Sequence, residues 1–365
     1  MSTGGRYFGL DMLRAAAILG VFLSHEVGMK IAGTPVFSTL NSGVDLFFVL
    51  SGFLIGGICF RSVRNDDFSI WKFWRSRWWR TLPPYIAAIL FYVALRPFCT
   101  QLPPVYPYYL VFLQNYLGVV GFGPSWSLCV EEHFYLFLPI LVILVVRLVG
   151  IRGLRFLLPV LFFVPLAIRL GIYWTEGTMP SQWYWMTYMH CEGLIIGVWI
   201  SYLLVFDRPS FDRVKKQSRW FLPLPLVLIV VIPAWNSRPM TFNLLINTLY
   251  ALGFAAWLLC LYELKWNPVT HVGRLTRWCV TGIALVSYSI YLTHTTFDPW
   301  LRMRLAPLLT RGGIRTLIVL SATWAVGVIF YFLIERPTII SRDRYLKKAA
   351  ASAVRVPLSQ EGNAA

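Results

Sequence analysis

The stretch "LRAAAILGVFLSHE", Leu13–Glu26, is apolar enough to enter a bilayer, yet it holds Arg14 near one end and His25 and Glu26 near the other. At about 100° per residue, the step from Arg14 to His25 closes three turns plus roughly 20° and covers about 16 Å. Both side chains therefore project from one helix face. Glu26, one residue on, points about 100° away and falls outside that pair. A charged group in a span costs about 2.5–3.5 kcal/mol on insertion scales. Arg14 and His25 read either as polar glue between helices or as the two ends of a functional path.

The rest of the chain has the same character. Its 365 residues are 57% hydrophobic, 16% aromatic and 13% charged. A soluble protein carries a charged fraction of about 25%. Apolar runs recur at about 8–28, 43–61, 82–98, 127–146, 155–174, 187–205, 219–235, 242–262, 279–297 and 315–334. A span needs roughly 20 residues. The expectation is an all-α polytopic membrane protein, a bundle of about ten transmembrane helices. An integral membrane domain covers 1–345, with a flexible cytoplasmic tail over 346–365. Asp11 and Arg14 interrupt what would be a signal-peptide core, so the first run reads as a retained helix.

The formal charge of +17 is mostly topology. Basic clusters at Arg61–Arg80, Arg147–Arg155, Arg208–Arg219, Lys265–Arg277 and Arg336–Arg355 fall on one side of the ten-run layout. The positive-inside rule makes that side and both termini cytoplasmic. Arg302, Arg304, Arg311 and Arg315 fall on the other side. Anionic lipid accounts for the basic balance, and no nucleic-acid partner is needed. The six cysteines are scattered, without metal-ligand or disulfide spacing.

Four further stretches carry polar groups, three within the apolar runs and one at the expected cytoplasmic membrane surface. "NSGVDLFFVLSGFLIGG" (Asn41–Gly57) contains Asp45 and the small residues Ser51, Gly52 and Gly56. That pattern suits close helix packing, and equally a slot for a thin ligand. "WKFWRSRWWRTLPP" (Trp71–Pro84) interleaves Lys72, Arg75, Arg77 and Arg80 with aromatics. It reads as an interfacial anchor, or, through the i,i+3 pair Arg77 and Arg80, as a phosphate grip. "GPSWSLCVEEHFYLFLP" (Gly123–Pro139) follows a proline-rich, uncharged segment and brings in Glu131 and Glu132. It points to a buried, partly re-entrant region over a polar cavity, with Ser125 or Ser127 as helix cap. "SYSIYLTHTTF" (Ser287–Phe297) puts His294 at the depth of His25, as a structural or a functional histidine.

Together these stretches resemble the membrane-bound acyltransferase family 3, whose members O-acetylate bacterial surface polysaccharides and lipopolysaccharide. The resemblance rests on "GLDMLRAAAILGVFLSH", "GVDLFFVLSGFLIG", "FWRSRWWRTLPP", "SWSLCVEEHFYLFLP", "SYSIYLTH" and "LIERP", in family order. It implies a ten-helix bundle, no metal, and a catalytic His25 paired with Arg14. It also implies donor-binding roles for Arg77 and Arg80, an acidic motif at Glu131 and Glu132, and an SGF motif at Ser51–Phe53. His133 stands where members carry Gln. Tyr188 and His190, in "TYMHCEGLIIG", replace a His and an Arg of the family pattern.

The expected reaction is O-acyl transfer, acetyl above all, from cytoplasmic acetyl-CoA or another acyl-CoA to a carbohydrate or glycolipid hydroxyl at the bacterial inner membrane. Arg14, Arg77 and Arg80, with Ser51 and Gly52, would bind the donor. His25 would be the general base, as suits a side chain titrating near neutrality. Glu131, Glu132 or Asp45 would orient its imidazole or bind the sugar, and His294 and Trp126 would contact the acceptor. The alternative is a proton-coupled transporter or flippase of a sugar-lipid or acyl group. Transporters often carry inverted repeats, and none is visible.

Overall fold

The computed structural model describes residues 7–25, 35–99, 102–117, 121–180, 182–235, 239–305 and 312–354. Every regular element among them is helical. In chain order these are α1 (Phe8–Leu23), α2 (Pro35–Thr39), α3 (Gly43–Arg64), α4 (Ile70–Leu95), α5 (Gln114–Leu117), α6 (Ser125–Val149) and α7 (Gly153–Glu176). There follow α8 (Glu192–Phe206), α9 (Arg208–Ser218), α10 (Leu224–Ala234), α11 (Met240–Leu261), α12 (His271–Leu305), α13 (Gly312–Phe330) and α14 (Arg336–Val354). Among the described residues, eight helical stretches are long and apolar enough to cross a membrane, and the 15-residue α8 is a shorter apolar helix. Each of the ten expected runs meets a helix. The chain is a multi-pass membrane protein.

Two boundaries differ from expectation. The run expected at 82–98 begins earlier, because the tryptophan–arginine segment forms the start of the 26-residue α4. Helix α14 runs on through Val354, where a flexible tail is expected from residue 346. Residues 355–365, Arg311 and Glu26 lie outside the described residues. Helix α12, at 35 residues, is about 52 Å long against a hydrocarbon core of about 30 Å, so it projects beyond the bilayer.

Close backbone contact holds the centre of the bundle. A Cβ on Gly52 of α3 would lie 2.0 Å from the Leu194 carbonyl oxygen of α8, and one on Gly197 would lie 2.3 Å from the Val49 oxygen. Only hydrogen side chains allow these helices to meet. The small residues of "SGFLIG" thus serve packing, with those of "EGLIIG" as partners. Gly43 presses against Ala17 of α1 in the same way. Two apolar clusters fill the bundle. Leu10, Leu13 and Ala17 of α1 belong to one, and Ile18, Val21 and Phe22 to the other.

The irregular segment between α4 and α6 is covered by protein, as backbone at that depth must be. Tyr85 donates to the Tyr109 carbonyl at 3.0 Å, and Tyr92 to those of Pro103 and Gly121 at 2.9 and 3.0 Å. Gln114 donates to the Ser125 carbonyl, and Asn115 to those of Trp126 and Trp185. At the other edge of the molecule, hydrogen bonds from Lys215, then Arg208, hold the Glu263 carboxyl below the usual carboxylate range and clamp α9 to the end of α11.

The packing makes a contrast testable. Gly52→Ala should cost roughly 1–3 kcal/mol by forcing α3 from α8. Gly171→Ala, with nothing within 4 Å of its added carbon, should keep or slightly raise stability, since alanine is the better helix former. Thermal unfolding in detergent reads both, and equal melting temperatures would refute the close contact.

Candidate active site

Helices α1, α3, α4, α6 and α12 enclose a cavity of about 370 Å³. Arg14 of α1 and Arg77 and Arg80 of α4 line it. Arg14 leans on Asp11 at 3.4 Å. Among the described residues neither Arg77 nor Arg80 has a carboxylate within ion-pair distance, and the buried Nε of Arg77 has no hydrogen-bond partner. Two guanidinium groups without a direct ion pair therefore face one cavity, which Glu131 and Glu335 also line.

Further along the wall, the Ser51 hydroxyl donates to the Tyr135 hydroxyl, which donates to Glu131 Oε2 at 3.0 Å. The Ser127 and Tyr291 hydroxyls meet at 2.5 Å. Glu335 also lines the cavity, and its Oε2 accepts from Ser289 at 2.5 Å. This glutamate comes from a π turn, Tyr331–Glu335, between α13 and α14.

A pair of histidines stands behind Tyr291. His294 Nδ1 lies 2.9 Å from the Tyr291 carbonyl and 3.1 Å from that of Ile290. A carbonyl only accepts, so that nitrogen carries a proton. His294 Nε2 lies 3.3 Å from His25 Nδ1, which is itself 3.0 Å from the Val21 carbonyl. The same reasoning puts a proton on His25 Nδ1, shared between Val21 and the Nε2 lone pair of His294. With both rings neutral, the lone pair of His25 is then on Nε2, the nitrogen a general base needs. The end of α1 widens into a π turn at Ser24 and His25. Arg14 lines the cavity, and His25 joins it through His294 and Tyr291.

Several expected site residues lie elsewhere. Asp45 does hold an imidazole, but it is that of His190, at 2.7 Å. His190 Nδ1 also donates to the Tyr184 carbonyl at 2.8 Å, so the ring is held through both nitrogens. Trp126 stacks on this His190 at 5.6 Å between centroids, and does not face the cavity. Gly52 faces Leu194 of α8. Glu132 turns away from Glu131, is buried, and leaves Oε2 without a partner. Ser125 and Ser127 donate back to the carbonyls of Phe122 and Pro124 and do not cap α6.

Beside Asp45–His190 lies a second buried pair. Arg169 of α7 is fully buried and reaches Glu192 at 2.5 Å, Thr248 at 3.1 Å and the Leu244 carbonyl at 3.0 Å. These four ionisable groups tie α3, α7, α8 and α11 together.

Sequence reasoning missed Ser127, Tyr135, Tyr291 and Glu335 as cavity residues. Tyr135 stands one turn after Glu131, a signal available in the sequence. Glu335 stands within "LIERP" and carried no assigned role.

Residues 7–334 match the model of the acyltransferase domain family, and the chain belongs to that family. It is 25% identical to the peptidoglycan O-acetyltransferase OatA of Listeria monocytogenes, over 90% of this chain and 55% of that protein. It is 28% identical to a candidate O-acetyltransferase of Staphylococcus aureus, over 78% of this chain and 50% of that protein. A candidate peptidoglycan O-acetyltransferase of Bacillus subtilis is 25% identical, over 78% and 48%. The chain thus spans about half the length of the curated relatives it matches. No solved structure matches it.

The buried pairs can be told from the site by their energetics. Arg169→Met should destabilise the protein by about 3–5 kcal/mol, because Glu192 is left as a lone buried anion. The double variant Arg169→Met/Glu192→Leu should recover part of that loss. A melting temperature unmoved by the single change would refute the pairing.

Proposed function

We propose that this member of the acyltransferase family is a membrane O-acetyltransferase, taking an acetyl group from cytoplasmic acetyl-CoA and esterifying a hydroxyl of an envelope carbohydrate. The relatives' names support the acetyl group and a glycan acceptor, peptidoglycan among the choices. One observation carries the reading: Arg77 and Arg80, in no direct ion pair among the described residues, open into a cavity also lined by Tyr291, which abuts the His25–His294 pair. Cations left unpaired near lipid are costly unless an anion arrives to meet them. The diphosphate of coenzyme A is such an anion, and guanidinium groups suit phosphate oxygens.

The chemistry then follows. The donor's pantetheine arm lies along the Ser51–Tyr135–Glu131 wall, with its thioester toward Tyr291. His25 Nε2 accepts the proton of the acceptor hydroxyl as that oxygen attacks the thioester carbonyl carbon. The ester C–O bond forms and the C–S bond breaks. The proton on His25 passes to the departing thiolate, restoring the neutral imidazole. His294 is a positioning residue: its Nε2 lone pair keeps the His25 proton on Nδ1. The acceptor approaches from the His25 end and the donor from the arginine end. The membrane is the bacterial inner membrane, where coenzyme A is available on one face.

Acetyl transfer by purified protein tests the base. His25→Ala should lose about 10²–10⁴-fold in kcat, the usual contribution of a general base, with acetyl-CoA binding retained. Near-normal transfer would sink the assignment. Replacing Arg77 and Arg80 by Ala should raise the KM for acetyl-CoA at least tenfold, since charge-assisted hydrogen bonds are worth about 1.5–3 kcal/mol each. An unchanged KM would remove the phosphate role.

A further inference from the structure

Coenzyme A carries more charge than two arginines answer. Beyond the diphosphate are a ribose 3′-phosphate, with a charge of about −1.5 to −2 at neutral pH, and an adenine. A second hollow, about 470 Å³ and open to the surface, lies at the protruding end of α12. Arg274, Arg277 and Trp278 line it, with Asn267 from the preceding loop. Leu285 lines this hollow and the central cavity alike, so the two adjoin at one side chain.

The state of the arginines is informative. Arg277 donates to Asn267 Oδ1 at 2.6 Å, and Arg274 Nη2 meets His271 Nδ1 at 3.3 Å. Among the described residues neither meets a carboxylate. Each guanidinium thus has a side-chain hydrogen bond and, among the described residues, no direct ion pair. Trp278 is 73% exposed and adds a flat aromatic face beside them. Two fixed cations and an exposed indole match a phosphate and a purine, which stacks on aromatic rings for about 1–3 kcal/mol per base in nucleic-acid complexes.

We propose that this hollow binds the 3′-phosphoadenosine end of the acyl donor, with the 3′-phosphate on Arg274 and Arg277 and the adenine against Trp278. The proposal rests on the acyl-CoA reading above and extends it. The chain from nucleotide to thioester then runs from the hollow, past Leu285, to Arg77 and Arg80, and on to the reaction centre. A phospholipid headgroup is the other source of phosphate at such a surface, and the test separates the two.

Equilibrium binding to the full chain in nanodiscs would use three unreactive probes: coenzyme A, 3′-dephospho-coenzyme A and 4′-phosphopantetheine. Wild type should prefer coenzyme A to its dephospho form by roughly tenfold or more, as one charge-assisted contact allows. Arg274→Ala/Arg277→Ala should abolish that preference while leaving 4′-phosphopantetheine binding unchanged, which also reports an intact fold. Trp278→Ala should weaken both nucleotide-bearing probes severalfold and spare 4′-phosphopantetheine. A preference that survives the double substitution would overturn the proposal. So would a variant with unchanged affinity for all three probes that instead loses bound phosphatidylglycerol by native mass spectrometry. Wild-type protein that binds none of the probes would sink the acyl-CoA reading itself, a result distinct from loss of the 3′-phosphate preference alone.

Discussion

A charge inside hydrocarbon has to be met by another charge, and this constraint sorts the polar residues of the bundle. Asp45 meets His190, and Arg169 meets Glu192, both within 2.7 Å and both buried. Each pair is internally complete and has little to offer a substrate. Arg77 and Arg80 are different. Among the described residues neither makes a direct ion pair, and both line a cavity that an outside anion can enter. Satisfied pairs mark the scaffold, and unsatisfied cations mark the working surface.

The two sets depend on each other through α3. One face of that helix meets α8 backbone to backbone at Gly52 and Gly197. Another turns Ser51 into the cavity toward Tyr135. Adjacent residues thus serve opposite ends, because a helix turns by about 100° between them. Glu131 and Glu132 divide the same way on α6. The first lines the cavity and the second is buried against the protein. A motif two residues wide is therefore rarely one site.

Much of this was legible in the sequence. Each apolar run of span length meets a helix, ionisable groups within the runs singled out Arg14, His25, Glu131 and His294, and the basic aromatic stretch before the third run singled out Arg77 and Arg80. What stayed hidden depended on contacts between distant segments. Asp45 and His190 are 145 positions apart, and nothing local says that this carboxylate orients that ring and not His25. The π turn that ends α1, at Ser24 and His25, is equally silent in the residue pattern. A second π turn carries Glu335 to the same cavity. Such widened turns cluster at functional positions and leave no periodic trace in a sequence.

Helix α12 runs unbroken from His271 to Leu305 and carries both Arg277 and His294. Seventeen residues of one helix fix their separation along the axis at about 26 Å, and a helix does not stretch. For a donor seated as proposed, α12 is a ruler. Its two marks are the nucleotide phosphate and the imidazole pair, and the arm between them has to match that length. Selectivity among thioesters then comes from the span of the carrier as well as from its chemistry. A carrier with a shorter arm would bind at one mark and fall short of the other.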